Sequence, residues 1–283
     1  MTTRTSPVVF VYGTLLGGMI LSEALAGAPF LGHGRTGGVL YDLGSYPGLG
    51  PGTGAVYGEL YAVDRARLAR LDRIEGFDPR DLAGSLYLRR PVDVQPLDGG
   101  PRIEAYSYFY CDRPRLTQPI PCGDYRRHKL EQSDQPQWYI AYGSNMSSAR
   151  LRERLGGDAI RAVETGYLEG YALRFNKRAH DGGVYANLAY RGAGHRCPFA
   201  AYLLSPDALD ELDCWEGEPG HYVRLGLPFP KADGGLGLGH VYVAAPERVI
   251  PDRMPDPDYL QHLLAGYEEH GFDPGALPGA ALP

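Results

Sequence analysis

The sequence predicts an α+β protein built from two tandem, strand-rich domains. Two observations lead to this prediction. A short apolar stretch runs into Tyr-Gly twice, as FVYGTL at Phe10–Leu15 and IAYGSN at Ile140–Asn145, and one helix-like segment also occurs twice. The chain has 283 residues, which is enough for two domains of about 140 residues, each with its own core. We place the first domain at residues 1–133 and the second at residues 137–283.

The repeated helix-like segment is the strongest internal match. Val63–Gly76 aligns without gaps with Leu204–Gly217. The second residue of each copy, Asp64 or Ser205, can cap a helix N-terminus, and each copy ends at Glu-Gly, where the glycine can adopt the left-handed conformation that terminates helices. The identical positions are Leu68/Leu209, Leu71/Leu212, Asp72/Asp213, Glu75/Glu216 and Gly76/Gly217. A Tyr-x-Arg motif follows in both copies, at Tyr87–Arg89 and Tyr222–Arg224, so order and spacing are preserved.

Most other segments predict strands. Examples are GAVYGELYAV and RIEAYSYFYC in the first half, and CPFAAYLL and GHVYVAA in the second. The polar, turn-rich stretch Arg113–Gln137 lacks apolar periodicity and predicts the domain boundary, with Glu131–Gln137 as the linker. Pro257–Phe272 predicts an amphipathic closing helix that has no counterpart in the first domain.

The composition excludes several classes of protein. Apolar residues make up 43% and charged residues 22%, which is typical of a globular chain rather than a disordered one. The net charge of -6 argues against a nucleic-acid partner, because nucleic-acid binders usually collect phosphate contacts on a basic face. The negative excess lies in residues 137–283, which hold 13 Lys and Arg against 19 Asp and Glu.

Neither a membrane segment nor a disulfide framework is expected. The apolar run after the N-terminus, Val8–Tyr12, is too short for a signal sequence or a membrane span. Four widely spaced cysteines without a C-x-x-C pair indicate reduced thiols rather than a zinc or redox site. We therefore expect a soluble cytoplasmic protein with no membrane partner.

The glutamates at the two helix ends are candidate catalytic groups. A carboxylate in the last turn of a helix is slightly unfavourable, because the carbonyl end of the helix dipole is negative. A single such glutamate is usually a solvated surface residue. Glu75 and Glu216 occur in register in both copies, and local rules tend to be broken where function requires it. The sequence therefore favours a functional role for both.

The Tyr-Gly turns offer a complementary group. After Gly143 the chain presents Ser144 and Asn145 before a helix that Ser147 or Ser148 can cap. Backbone N–H groups at such a strand-to-helix turn can bind a carboxylate or an oxyanion. The alternative is a plain strand end at which glycine makes the turn. No G-x-S-x-G elbow, P-loop or H-E-x-x-H motif is present.

These motifs resemble the gamma-glutamylcyclotransferase-like or AIG2-like family, whose hallmarks are a Tyr-Gly loop and a Leu-Asp-x-x-Glu-Gly segment. The first half, with YGTL, LYDLGSYPGL, GELY, LDRIEG, YLRRPVDV and CGDY, resembles the AIG2 and gamma-glutamylamine cyclotransferase branch. The second half, with YGSNM, LRFNKRAHDGGVYANL, LDCWEG and HYVR, resembles the gamma-glutamylcyclotransferase branch proper.

The resemblance implies a small mixed β-barrel with flanking helices in each domain. It also implies release of 5-oxoproline from a small-molecule gamma-glutamyl substrate, with no metal or cofactor. Glu75 and Glu216 would act as general acid and base. The predicted substrate-binding residues are Tyr12, Gly13, Thr14, Leu15, Tyr142, Gly143, Ser144, Asn145 and Met146, with Tyr87 and Tyr222 as pocket walls or, equally, core tyrosines.

Several alternatives stay open at this point. One domain catalyses while its sister binds a ligand or only packs, or the protein binds a metabolite without turnover. The leaving group is a γ-glutamyl-linked amino acid, the ε-amine of a γ-glutamyl-lysine isopeptide, or a protected biosynthetic amine, and glutathione is less favoured. The acidic second half would suit a cationic leaving group, although a charge surplus is usually solvated surface. We also expect the two domains to pack as an internal pseudo-dimer.

Overall fold

The computed structural model describes residues 6–180 and 182–278. The first five and last five residues, which the predicted domains include, and Asp181 lie outside the described residues. The chain divides into two compact units, Met1–Pro96 with Gly100–His128, and Leu97–Gly99 with Lys129–Pro283. The break after His128 falls inside the stretch predicted as the boundary.

The first unit is a closed, mixed five-stranded barrel. Its strands are β1 (Val8–Val11), β2 (Phe30–Asp42), β3 (Pro47–Ala62), β4 (Tyr87–Pro96) and β5 (Ile103–Tyr110). They follow the order β1-β3-β2-β4-β5. The pair β1 and β5 is parallel, and the other pairs are antiparallel. The predicted mixed barrel is therefore confirmed for the first domain.

The second unit repeats the strand order of the first, but its five-stranded sheet does not close into a barrel. Its strands are β6 (Gln137–Ala141), β7 (Val163–Glu169), β8 (Tyr171–Arg178), β9 (Val184–Tyr190), β10 (Arg196–Leu204), β11 (Tyr222–Pro230) and β12 (Leu236–Ala244). Five of them form a sheet in the order β11-β12-β6-β10-β7, and β8 pairs with β9 in a separate hairpin. As in the first unit, the strand before the Tyr-Gly turn has one parallel neighbour, here β12.

Five helices accompany these strands in the described residues: α1 (Arg65–Ile74), α2 (Tyr125–Glu131), α3 (Ser148–Leu155), α4 (Pro206–Glu216) and α5 (Pro257–Glu269). The predicted caps of the repeated helices are confirmed. Asp64 and Ser205 accept hydrogen bonds from the amides of Arg67 and Ala208, and Gly76 and Gly217 have φ values of 61° and 63°. Ser147 caps α3.

Two helices differ from the sequence prediction. The closing helix α5 ends at Glu269, before the predicted Phe272. The helix α2 lies within the polar, turn-rich stretch predicted as the domain boundary, where no helix was predicted. Its buried residues include Arg126 and Arg127, so apolar periodicity could not reveal it. In the described part of the chain the longest helix has 13 residues, and none is long and apolar enough to cross a membrane.

Candidate active sites

A polar cluster holds the helix that carries Glu75 against the barrel. Asp72 lies one helical turn before Glu75 and forms an ion pair with Arg89 of β4, with 2.5 Å between Oδ2 and Nη1. The hydroxyl of Tyr108 on β5 donates to Asp72 Oδ1 at 2.8 Å. The contacts of the motif's aspartate, Asp72, therefore position its glutamate, Glu75.

The second domain repeats this cluster at equivalent positions. Asp213 Oδ2 lies 3.0 Å from Arg224 Nη2, and the Tyr242 hydroxyl donates to Asp213 Oδ1 at 2.5 Å. Arg224 is the arginine of the second Tyr-x-Arg motif. The repeated Asp and Arg thus anchor α4, whose last residue is Glu216.

The tyrosine of each Tyr-Gly turn is a structural anchor whose ring lines a cavity. The buried Tyr12 hydroxyl donates to the carbonyl of Tyr108 at 2.5 Å. The Tyr142 hydroxyl donates to the carbonyl of Tyr242 at 2.6 Å. Because these hydroxyls are used by the backbone, the two tyrosines can contact a ligand through their rings and not as hydrogen-bond donors.

The glycines allow another segment to approach each turn closely. A Cβ atom on Gly13 would lie 2.6 Å from Pro47 Cγ, and one on Gly143 would lie 3.1 Å from Ala186 Cβ. Pro47 and Ala186 occupy equivalent places, since their carbonyls accept hydrogen bonds of 2.7 Å from the hydroxyls of Tyr87 and Tyr222. The rings of these two tyrosines also line the cavities, so both interpretations of them, core tyrosine and pocket wall, describe the structure.

Each turn has backbone amides without a described acceptor, on residues that line its cavity. Within the described residues, the amides of Thr14 and Leu15 donate no hydrogen bond, and neither do those of Ser144 and Asn145. All four residues line a cavity. Two neighbouring free N–H groups of this kind can bind a carboxylate or a developing oxyanion.

The first cavity, of about 130 Å³, is lined almost entirely by uncharged groups. Its wall includes Phe10, Leu15, Leu21, Tyr46, Ile74 and Leu86. Among the described residues that line it, Glu75 is the one charged side chain. Its carboxylate makes no hydrogen bond and no ion pair with a described residue. Burial raises the pKa of Glu75 from its ordinary value of 4.5 to about 7.

Glu216 has the opposite environment. Its Oε1 accepts hydrogen bonds of 2.9 Å from Asn145 Nδ2 and from Arg154 Nη1. Counted from the tyrosine of each turn, Leu15 stands where Asn145 stands in the second domain, and Ala24 stands where Arg154 stands. These two differences in sequence explain why Glu75 has no partner among the described residues while Glu216 has two.

The second site is also larger and more polar. An inner cavity of about 30 Å³ contains the turn, Glu216 and Tyr222, and opens beside a recess of about 430 Å³. The recess is lined by five basic side chains: Arg150, Arg154, Lys177, His180 and His221. Tyr259 of the closing helix α5 lines both spaces, and its hydroxyl accepts a hydrogen bond of 3.1 Å from the Ala186 amide.

Comparison with known proteins agrees with this arrangement. The family described as gamma-glutamyl cyclotransferase, AIG2-like matches residues 9–127 and 139–261. The chain belongs to this family. The two matched segments carry one copy each of the Tyr-Gly turn and of the Leu-Asp-x-x-Glu-Gly helix end.

One relative resembles both halves of this cyclotransferase-family chain. YkqA of Bacillus subtilis is 28% identical over 219 residues, which are 72% of this chain and 75% of YkqA. Its crystal structure superposes with a TM-score of 0.76 at 25% identity, covering 93% of this chain and 92% of that one. The tandem arrangement of two family domains is therefore shared with a solved structure.

Other relatives match one domain. The gamma-glutamylcyclotransferase family protein YtfP of Escherichia coli is 43% identical over 111 residues, 37% of this chain and 98% of YtfP. A Vibrio cholerae protein is 37% identical over 120 residues, 42% of this chain and 94% of its own length. A single family domain thus accounts for nearly the whole of each of these relatives.

The structure brings most predicted site residues together. Tyr12, Gly13, Thr14, Leu15, Glu75 and Tyr87 line the first cavity, and Tyr142, Gly143, Ser144, Asn145, Glu216 and Tyr222 line the inner cavity of the second domain. Met146 does not line either cavity. It is buried, its amide donates to the Gly143 carbonyl at 2.9 Å, and its carbonyl accepts from the Tyr202 hydroxyl. Met146 therefore stabilises the turn.

The sequence prediction missed the arginines of the second site. Arg150 and Arg154 lie four residues apart on α3, a spacing that places both on one helix face. That spacing, directly after a Tyr-Gly turn, was the signal available in the sequence. Among the described residues no group of three His, Cys, Asp or Glu side chains is arranged to hold a metal ion.

Proposed function

We propose that this protein is a γ-glutamyl cyclotransferase that releases 5-oxoproline and a free amine from γ-glutamyl amides. The observation that carries the proposal is the Glu75 carboxylate, which has no hydrogen-bond partner among the described residues, has a pKa of about 7, and shares a cavity with the free amides of Thr14 and Leu15. A proton acceptor poised near neutral pH beside an anion-binding turn suits this reaction.

The reaction needs an oriented substrate more than a strong nucleophile. The α-amine nitrogen of the γ-glutamyl group attacks its own γ-carbonyl carbon, a five-membered lactam closes, and the bond to the amidated amine breaks. Because the nucleophile is tethered, a well-oriented attack has an effective molarity of about 10⁵ to 10⁸ M. A small cavity that holds the substrate folded would supply that orientation.

Glu75 would move the proton. The α-amine of the substrate has a pKa near 8, so it is largely protonated and must first lose a proton. Transfer to a carboxylate with a pKa near 4.3 would be uphill by about 5 kcal/mol, whereas transfer to Glu75, with a pKa of about 7, is uphill by about 1.4 kcal/mol. Glu75 then passes this proton to the departing nitrogen as the C–N bond breaks. The ring nitrogen loses a second proton when the lactam forms, and the released amine takes it up and leaves as an ammonium ion, so the proton count balances.

The turns would stabilise negative charge. In the first site the amides of Thr14 and Leu15 would bind the substrate α-carboxylate or the oxyanion that develops on the γ-carbonyl. In the second site the amides of Ser144 and Asn145 would take this role, with Glu216 as the general base. The reaction as written consumes no cofactor.

One observation favours a different role for the second domain. The Glu216 carboxylate already accepts hydrogen bonds from Arg154 and Asn145, whereas the Glu75 carboxylate has no partner among the described residues. A catalytic first domain with a ligand-binding sister is therefore the second candidate function. Metabolite binding by both domains without turnover is the third.

The deciding experiment measures 5-oxoproline release from a panel of γ-glutamyl amides. Wild type is compared with Glu75→Gln, Glu216→Gln and the double variant, and Glu211→Gln serves as the matched control because Glu211 is exposed on the same helix as Glu216. Loss of the base should lower the rate of each working site by about 10²- to 10⁴-fold. Absence of 5-oxoproline with wild type on every amide would overturn the cyclotransferase proposal. An unaffected Glu216→Gln variant alongside an inactive Glu75→Gln variant would establish the single-site alternative.

A further inference from the structure

The two cavities differ in charge. The recess of the second site contains Arg150, Arg154 and Lys177, and among the described carboxylates Glu216 is the one that lines it. No Lys, Arg or His among the described residues lines the first cavity. A positively charged recess beside a general base should attract a substrate with a negative group close to the scissile bond.

Arg150 is the basic residue most available to a ligand. Its guanidinium forms no hydrogen bond or ion pair with any described residue, and its Nε atom is buried without a partner. Its surroundings include Arg154, Tyr259, Glu153 and Glu216, and burial together with Arg154 lowers the pKa of Arg150. The half-buried guanidinium of Arg150 therefore has planar donors free for a ligand, and a carboxylate can satisfy them with two parallel hydrogen bonds.

Lys177 adds a second cation deeper in the same recess. Its side chain is 3% exposed, and its Nζ atom lies 3.1 Å from His221 Nδ1. It also lies 4.7 Å from the ring centre of Tyr222 and 5.1 Å from that of Tyr185. Burial, together with the nearby Lys177, lowers the pKa of His221.

The equivalent positions of the first domain carry no charge. Ile20 follows Tyr12 in the sequence by the same number of positions as Arg150 follows Tyr142. By the same count, Ala24 corresponds to Arg154. Ile20 is exposed and Ala24 is buried. The charge difference between the two sites is therefore built into the sequence after each Tyr-Gly turn.

We propose that the two sites divide γ-glutamyl amides by the charge of the leaving amine. The second site takes amides of amines that carry a carboxylate, which binds Arg150 beside Lys177, and the first site takes amides of uncharged amines. This inference rests on the proposed cyclotransferase function. The net charge of residues 137–283 suggested a cationic leaving group, and this inference reverses that expectation. The acidic surplus of these residues lies outside the recess.

The test compares three substrates that differ in the charge of the leaving amine: γ-glutamyl-ethylamide, γ-glutamyl-alanine and γ-glutamyl-aspartate. Glu75→Gln isolates the second site, and Glu216→Gln isolates the first. In Glu75→Gln we expect kcat/KM to rise at least about 10-fold from the ethylamide to the aspartate compound, and in Glu216→Gln we expect the opposite order. The preference of the second site should weaken as salt is added, because screening reduces charge attraction.

Arg150→Gln in the Glu75→Gln background tests the residue itself. We expect a loss of about 10- to 100-fold in kcat/KM for the aspartate compound, mainly through KM, and less than about 3-fold for the ethylamide. Arg152→Gln is the matched control, since Arg152 is exposed on the same helix and does not line the recess. Thermal melting confirms that each variant is folded.

The outcomes separate this inference from the function on which it rests. No 5-oxoproline from any substrate with wild type overturns the proposed function itself. Release with the same substrate order in both single-site variants overturns the charge division and leaves the function standing. An Arg150→Gln variant that loses equally on all three substrates also overturns the division, because a structural role would not discriminate by charge.

Discussion

The guanidinium of Arg154 forms an ion pair with the carboxylate of Glu216, with 2.9 Å between Nη1 and Oε1. The corresponding carboxylate in the first domain, Glu75, has no such partner among the described residues. Two copies of one motif therefore place the same acidic group in two electrostatic settings, and this difference leads to separate predictions for the two sites.

Removing Arg154 should lower the activity of the second site. Without the guanidinium, the Glu216 carboxylate keeps the hydrogen bond from Asn145 and is positioned less firmly beside the turn. In a Glu75→Gln background, Arg154→Gln should lower kcat by about 10-fold or more, because a misplaced catalytic group reacts poorly. The Arg152→Gln variant should leave kcat unchanged. An unchanged kcat in Arg154→Gln would show that the ion pair does not position Glu216 during turnover.

Glu75→Gln should stabilise the protein at alkaline pH. The folded pKa of Glu75 is about 7, above its ordinary value of 4.5, so the folded state holds a proton that the unfolded chain releases. The free energy of unfolding therefore falls as pH rises between these values, and the full cost is present above pH 7. We expect Glu75→Gln to raise stability by about 1 to 3 kcal/mol at pH 8, with little effect near pH 4.5.

Differential scanning calorimetry at the two pH values measures this effect. Glu104→Gln is a suitable control, because Glu104 is an exposed glutamate on a strand of the same domain. A Glu75→Gln variant whose melting temperature changes by the same amount at both pH values would contradict the raised pKa.

A buried ion pair supports the loop that follows the first Tyr-Gly turn. Arg126 Nη1 lies 2.7 Å from Glu59 Oε1, and both side chains are almost fully buried. Glu59 Oε2 accepts a hydrogen bond of 2.8 Å from the Gly17 amide, while Arg126 donates to the Gly17 carbonyl at 3.1 Å. Breaking a buried pair by removing one charge leaves the other uncompensated.

Glu59→Gln should therefore destabilise the first domain by about 3 to 5 kcal/mol. Chemical denaturation followed by circular dichroism measures the loss, and turnover in the Glu216→Gln background reports on the first site. The exposed Glu104→Gln change should be within about 0.5 kcal/mol of wild type. A Glu59→Gln protein as stable as the control would mean that the pair does not hold this loop.

The turn of the second domain is held differently, by close packing of α5. A Cβ atom on Gly266 would lie 2.7 Å from Met146 Cβ and 2.8 Å from the Ser147 nitrogen. Helix propensity alone predicts that Gly266→Ala stabilises α5 by about 1 kcal/mol. The packing predicts the opposite, a loss of about 1 to 3 kcal/mol.

Thermal melting and single-site turnover distinguish these two expectations. We expect Gly266→Ala to lower the melting temperature and to reduce second-site activity in the Glu75→Gln background. First-site activity in the Glu216→Gln background should not change. A more stable Gly266→Ala protein with full second-site activity would show that the helix tolerates the methyl group.

Sequence reasoning succeeded where neighbours along the chain decide the outcome. The caps at Asp64 and Ser205, the left-handed glycines at the helix ends and the turn at Gly143 depend on local backbone preferences. It missed α2, because that helix buries Arg126 and Arg127 rather than an apolar face. It also assigned substrate binding to Met146, which is buried, with its amide bonded to the Gly143 carbonyl and its carbonyl bonded to the Tyr202 hydroxyl of β10.

The sequence by itself determined the tandem repeat, the two Tyr-Gly turns and the two glutamates that line their cavities. Only the tertiary structure decided how those glutamates differ, since Arg154 and Glu216 are separated by 62 positions, and Glu59 and Arg126 by 67. Local patterns report on residues one turn or one strand step apart. The protonation of a carboxylate depends instead on burial and on charges brought near it through space, which the fold alone supplies.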